Sequence, residues 1–417
     1  MFLWIFALVL MQQPSGGFLL QGGTVHTVSG VAIENGSVLV RDGKIIGVGK
    51  NLTAPEGVRV IDIAGQHVYP GMIDGASLIG LEKDKHEMGM LNPQLKAAAA
   101  VNPEAAHIPG ARANGVTSVI EFPEGELLAG QMSLIHMDGG SSDAMNVIAS
   151  TAIHLRFPAI VTMPPPPHEP EDDDTEPIDI EPIPYGQAKA DYELKKQTLV
   201  KFFDDARRYR QRKLAKAKGL EIDRRFEAML PVFDGTTPLF VTAVREREIR
   251  EAIAFADKQK IRIVLADAYE AYKVIPLLKR KNIAVVLGPT LALPLDVDDP
   301  YDRSYTTPGE LYKAGVKFCI ATFSAKSTRN LPYQAAASVG YGLPEVEAYK
   351  AVSLSVAEIF GFAKKLGSIE EGKMADLIVT DGNPLESRTK VNMVFIDGKP
   401  MNLETRQKQL YEKYLAR

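Results

Sequence analysis

Short runs that alternate apolar and polar residues occupy Phe18–Val68 and return at Met374–Met401, near the opposite end of the chain. Period-two alternation predicts strands with one buried face. Asn35-Gly36 and Asp42-Gly43 in the first segment, and Asp381-Gly382 and Asp397-Gly398 in the second, predict tight turns between them. Each cluster is too small to bury a sheet alone. The two are therefore expected to close into one β-sandwich built from both ends of the chain, over 18–69 and 367–403.

Between them the pattern changes to strand–helix alternation. Leu239–Ala243 reads as a strand, and Arg245–Lys258 as a helix with Ile249, Ala252, Ile253 and Ala256 on one face. Ile261–Ala266, a helix through Tyr269–Lys281, Ile283–Leu287 and Val316–Ala321 continue the series. This repetition predicts an α/β fold, a (β/α)8 TIM-like barrel over 70–366. A doubly wound open sheet is the alternative, but no glycine-rich nucleotide fingerprint supports it.

Two segments depart from the pattern. Met163–Pro184 strings prolines and acids together, from Pro164 to Glu181. Lost backbone donors and like-charge repulsion predict a disordered or extended insertion over 163–185. The Lys- and Arg-rich helix that follows, roughly Gln187–Lys218, could neutralise it, and a solvated charged face explains that helix equally well. Met1–Met11 is an unbroken apolar run, too short to span a bilayer and similar to the hydrophobic region of a secretory signal. With the linker to residue 17 it predicts export to the periplasm or cell exterior; cytoplasmic residence follows if the run is a buried strand instead. A helical tail is expected over 404–417.

Composition narrows the chemistry. A net charge of −4 gives no footprint for nucleic acid. The single cysteine, Cys319, excludes an internal disulfide and a thiolate zinc cluster. It sits in the apolar run KFCIATF, so a buried, inert thiol is expected.

The segment VYPGMIDGASL, Val68–Leu78, resembles the first barrel strand of the amidohydrolase superfamily. LGSIEEGKMADLIVTDGNP, Leu366–Pro384, is similar to that family's return strand, and Gly125–Met137 resembles a glycine-rich loop of its bacterial imidazolonepropionase-like branch. The resemblance implies a barrel with a composite β-domain and hydrolysis of non-peptide C–N bonds. It also implies a divalent metal held at the strand ends: His-x-His on the first strand, histidines on the fifth and sixth, and an aspartate on the eighth. Some members add a carboxylated lysine on the fourth. The metal lowers the pKa of bound water, and the aspartate takes its proton.

Set against that pattern, the positions hold Ala76, Leu78, Thr242, Asp267 and Phe323. Only Asp267 carries a metal-binding group. All seven histidines, His26, His67, His86, His107, His136, His154 and His168, lie in the first 168 residues, so no shift of register returns an imidazole to the fifth or sixth strand. A catalytically degenerate amidohydrolase is thus expected, kept as a binding or assembly module, with no cofactor. A metal-free hydrolase of amides or cyclic amides is the alternative, through Asp74, Glu121, His154 and Asp267 converging at the mouth. Each also has a structural reading: Asp74 as a loop cap, His154 as a bonded core histidine, Glu121 as an arginine partner. A third reading is a scaffold that works through the acidic insertion. The partners implied are a second copy of the chain or an active relative; neither nucleic acid nor a stable membrane span is expected.

Overall fold

The computed structural model describes residues 17–81, 89–163 and 181–415. The Met1–Met11 run, His86, His168 and most of the acidic insertion lie outside the described residues. Among the described residues no helix is long and apolar enough to cross a membrane.

Among the described residues, sixteen strands form two sheets. In chain order they are β1 Phe18–Val25, β2 Ile33–Arg41, β3 Lys44–Lys50, β4 Arg59–Asp62, β5 His67–Pro70, β6 Met72–Ser77, β7 Val116–Glu121 and β8 Leu128–His136. They continue as β9 Asn146–Arg156, β10 Leu239–Thr242, β11 Ile263–Ala266, β12 Ala284–Leu287, β13 Phe318–Ile320, β14 Leu377–Thr380, β15 Val391–Ile396 and β16 Lys399–Pro400. The first sheet runs β16-β15-β14-β5-β1-β2-β3, with β4 also on β1. Both chain ends therefore share it, and Leu20, Val38, Ile45 and Val68 bury against Leu377, Val379 and Phe395. This is the composite β-sandwich domain expected from the two alternating segments.

Asp42-Gly43 and Asp397-Gly398 make the hairpins β2–β3 and β15–β16, with both residues of each pair at positive φ. Asn35-Gly36 does not. It lies inside β2 beside a register shift against β1, so the same left-handed preference makes an irregular strand instead of a turn. Asp381-Gly382 opens a longer connection closed by the Lys390 amide on Asp381 Oδ1 at 2.7 Å.

The second sheet is the barrel, ordered β6 through β13. The helix Glu246–Gln259 buries Ile249, Ala252, Ile253 and Ala256, the face its periodicity predicts. One strand corrects the expectation. β8 is antiparallel to both β7 and β9, so the barrel is not a uniform series of parallel βα units. Residues 122–127 and 137–145 link these strands, and a parallel crossover needs a dozen residues or more. Gly125–Met137, read above as a glycine-rich loop, is mostly this strand. His154 falls on the fourth barrel strand, β9. The basic helix forms as Tyr185–Leu214, and the tail as Arg406–Leu415, exposed along its length.

Pro70-Gly71 joins the two domains. A Cβ on Gly71 would lie 2.1 Å from Thr117 Oγ1, so only glycine fits where β6 crosses β7. Nearby, His136 at the end of β8 meets Asp376 beside β14, with Nε2 and Oδ2 3.1 Å apart and little exposure on either side. Ser118 Oγ and the Asp397 amide also donate to Asp376. Burial opposes the charged imidazole, and the Asp376 carboxylate, aided by Asp397 and Asp138, outweighs it, so the pKa of His136 is raised. The ion pair should stabilise the domain junction fully below about pH 6.5, the unfolded value, and lose its contribution as pH rises through the higher folded value. Replacing one partner of such a buried pair costs about 3 kcal/mol. We therefore expect His136→Ala to lower unfolding stability by about that much at pH 6 and by clearly less at pH 9. Urea titrations at the two pH values check this; an equal loss at both would remove the charge from the explanation.

Candidate functional site

The first and last barrel strands meet at a seam. Asp74 on β6 receives the Ala76 amide at 3.2 Å and the Thr322 amide at 3.0 Å on Oδ1, and the Thr322 hydroxyl at 2.5 Å on Oδ2. The Phe323 amide donates back to the Ala76 carbonyl at 2.9 Å. Asp74 is fully buried, and that burial raises its pKa to about 7 against the three bonds that lower it. Thr328 Oγ1 extends the network to Ser77 Oγ at 2.9 Å and to the Ser324 carbonyl at 2.7 Å. The structural role read for Asp74, a cap on its own loop, is present, and the cap also reaches across the seam.

Glu121 ends β7 beside Ser77 and is fully buried. Neither of its oxygens has a hydrogen-bond partner among the described residues, so the arginine partner envisaged for it does not exist there. Burial, then the nearby Asp74 carboxyl, pushes its pKa well above the ordinary carboxylate value, so the site favours the protonated form.

His154 has both ring nitrogens engaged. Nδ1 donates to the Pro123 carbonyl at 2.7 Å, and Nε2 accepts from the Thr242 hydroxyl at 2.9 Å. That is the spacing of a nucleophile and its base. Burial, reinforced by the Arg156 charge, nevertheless lowers the imidazole to about 4 despite the Pro123 bond, so at neutral pH it resists taking a proton. His154 is therefore a bonded core histidine.

Aromatic rings fill the barrel axis around it. Phe122 and His154 meet edge-on at 5.5 Å, Phe122 and Phe323 at 5.6 Å, and His154 and Phe240 at 5.8 Å. Ala76 is fully buried in the same cluster, with Leu78 packed against it. Of the five positions set by the resemblance, four thus carry a methyl, an isobutyl, a benzyl group and a hydroxyl already committed to His154. Asp267 stands apart at the end of β11, part-buried. Burial raises its pKa to about 7, Arg156 lowers it and Glu248 raises it further. One carboxyl facing an arginine is not a donor set for a divalent ion. Among the described residues no three His, Cys, Asp or Glu side chains form a group that could hold one. The four residues expected to converge are divided: Asp74 and Glu121 share the wall near the seam, His154 lies on the axis, and Asp267 faces Arg156. Cys319 is buried and free, as its apolar run implies.

The open space lies off the axis. A cavity of about 530 Å³ sits over the ends of β9 and β10, with Thr242 and Arg156 among its lining residues. Arg156 was not singled out from the sequence, although a cation closing the apolar strand AIHLR is a legible signal.

Among comparisons with known proteins, the amidohydrolase family model matches residues 302–401. No curated protein matches the chain. Of solved structures, an amidohydrolase from Thermotoga maritima is similar at 26% identity, covering 92% of this chain and 99% of that one, with a TM-score of 0.77. A molinate hydrolase is 16% identical over 94% and 95% of the two chains, TM-score 0.56, and an adenosine deaminase from Xanthomonas campestris with bound zinc is 16% identical over 96% and 99%, TM-score 0.51. These two bear on the fold alone.

The raised carboxyls set a pH dependence opposite to that of ordinary acids. The fold retains protons on Asp74, Glu121 and Asp267 that the unfolded chain releases near pH 4, so stability falls as pH rises from about 4 through about 7. For Asp267, the rise from 3.8 to about 7 at about 1.4 kcal/mol per unit, discounted for the water that reaches it, amounts to roughly 2 kcal/mol. Asp267→Asn should recover about that much at pH 8 and little at pH 4. Glu121→Gln should shift stability the same way. Denaturation curves at both pH values decide, and variants no more stable than the parent at pH 8 would contradict it.

Proposed function

The chain belongs to the amidohydrolase superfamily, and from that premise we propose that its barrel is a binding or assembly module in which metal-dependent hydrolysis of C–N bonds has been lost. One observation carries the reading: the mouth positions set by the resemblance hold Ala76, Leu78, Thr242 and Phe323, and packed rings occupy the axis between them. A water molecule activated by an ion needs donors to hold that ion and room to meet a substrate. The side chains at these positions supply no such donors, and the rings leave no room on the axis itself.

A metal-free hydrolase through Asp74, Glu121, His154 and Asp267 has less support. Asp74 is spent on the seam, Glu121 is sealed from solvent, and His154 is too weak a base for its neighbour. Assembly with a second copy or with an active relative suits a barrel retained for its surface, and the Met1–Met11 run would take the chain out of the cytoplasm.

Metal analysis of the purified full-length chain is the direct test, paired with assays on linear and cyclic amides. The expected outcome is far less than one zinc, manganese or iron per chain and no turnover above the buffer rate. Stoichiometric metal with turnover would sink the proposal. Turnover without metal that vanishes in Asp74→Ala or His154→Ala would favour the second reading.

A further inference from the structure

We propose that the cavity over the ends of β9 and β10 binds a small organic anion, a carboxylate on an apolar body, with Arg156 as its charge partner. The inference rests on reading the barrel as a binding module. At about 530 Å³ the cavity has the volume of a small-molecule site, and it lies at the strand C-termini, where barrels of this kind bind ligands. Phe157, Pro158, Val161 and Leu295 give it an apolar wall.

Its cations are not equivalent. Arg245 is paired through both terminal nitrogens with Asp296, at 2.6 and 2.8 Å, and Lys195 is paired with Asp191 at 2.9 Å. Arg156 has no carboxylate at ion-pair distance among the described residues. Its Nε donates to the Gly125 carbonyl at 3.3 Å, which orients the guanidinium and leaves the two terminal nitrogens for a ligand. Two carboxyls stand near Arg156: Asp267, whose burial-raised pKa the guanidinium charge lowers, and Glu248, whose Oε2 accepts the Val244 amide at 2.9 Å and the Arg245 amide at 3.3 Å; among the described residues neither pairs with it. Glu126, at the cavity edge, is exposed and its charge meets water. A planar guanidinium beside an apolar wall suits a carboxylate, which it can grip with two parallel bonds.

Calorimetric titration of the full chain with phenylacetate and with phenylacetamide, its neutral isostere, tests the site. The expected result is saturable binding of phenylacetate at least about tenfold tighter than phenylacetamide, the difference of one charge-assisted bond. Arg156→Gln should remove that preference, Arg156→Lys should keep part of it, and Val161→Asp, a change at an exposed wall position, should weaken phenylacetate alone. Absence of phenylacetate binding, equal binding of the two compounds, or unchanged selectivity in Arg156→Gln would overturn the proposal. Hydrolysis of phenylacetamide by a chain that still prefers phenylacetate would refute the non-catalytic reading and leave the anion site standing.

Discussion

Closure of the barrel depends on one buried carboxyl group. β6 and β13 are the two ends of an eight-stranded sheet, and no ladder joins them. Asp74 spans the gap by taking the amide and the hydroxyl of Thr322, while the Phe323 amide returns a bond to Ala76. Without that exchange the two strands would present unpaired backbone groups to a dry interior, each costing about 1–3 kcal/mol. Gly75 eases the approach: a Cβ there would stand 3.2 Å from Cys319 Sγ, so the thiol would have to give by a few tenths of an ångström.

The seam explains why the Asp74 motif persists beside apolar neighbours. Its bonds to Thr322 are architectural and would be needed whatever chemistry the mouth performed. Ala76 and Leu78 are under a different constraint, since they face or flank the axial cluster. Phe323 shows how the two are linked. It holds a left-handed backbone, φ 51°, which is costly for a bulky residue. The Ala76 carbonyl fixes its amide, and Phe122 and Phe240 receive its ring. Edge-to-face and tilted pairs of this kind contribute about 0.5–1.5 kcal/mol each beyond area burial, enough together to hold a strained residue in place.

Much of this was legible in the sequence, and what was not has physical causes. The composite sandwich follows from alternation and from Asp-Gly turns, whose left-handed preference is local. Helix Glu246–Gln259 follows from a 3.6-residue period. The reversal of β8 does not, because alternating apolar residues read the same in either direction; only the short connections on both sides betray it. Thr322 was overlooked because its role depends on a partner 248 residues away. The division of Asp74, Glu121, His154 and Asp267 was hidden for a similar reason: all four lie in or at the ends of barrel strands, but strand position alone does not say whether a side chain meets the axis, the seam or the rim.

The electrostatics of the barrel point to the same division of labour. Asp74 and Glu121 are buried near one another with no cation between them among the described residues, so the wall tolerates them by keeping protons on them. For either to ionise there, an ion or a strong base would have to stand beside it. His154 cannot serve as that base, because burial and Arg156 both disfavour its charged form. Arg156 itself is a cation with no carboxylate at ion-pair distance among the described residues, and it lines an open cavity. The charge that the axis excludes is available at the rim, which is where a ligand can meet this barrel without displacing the rings that fill its centre.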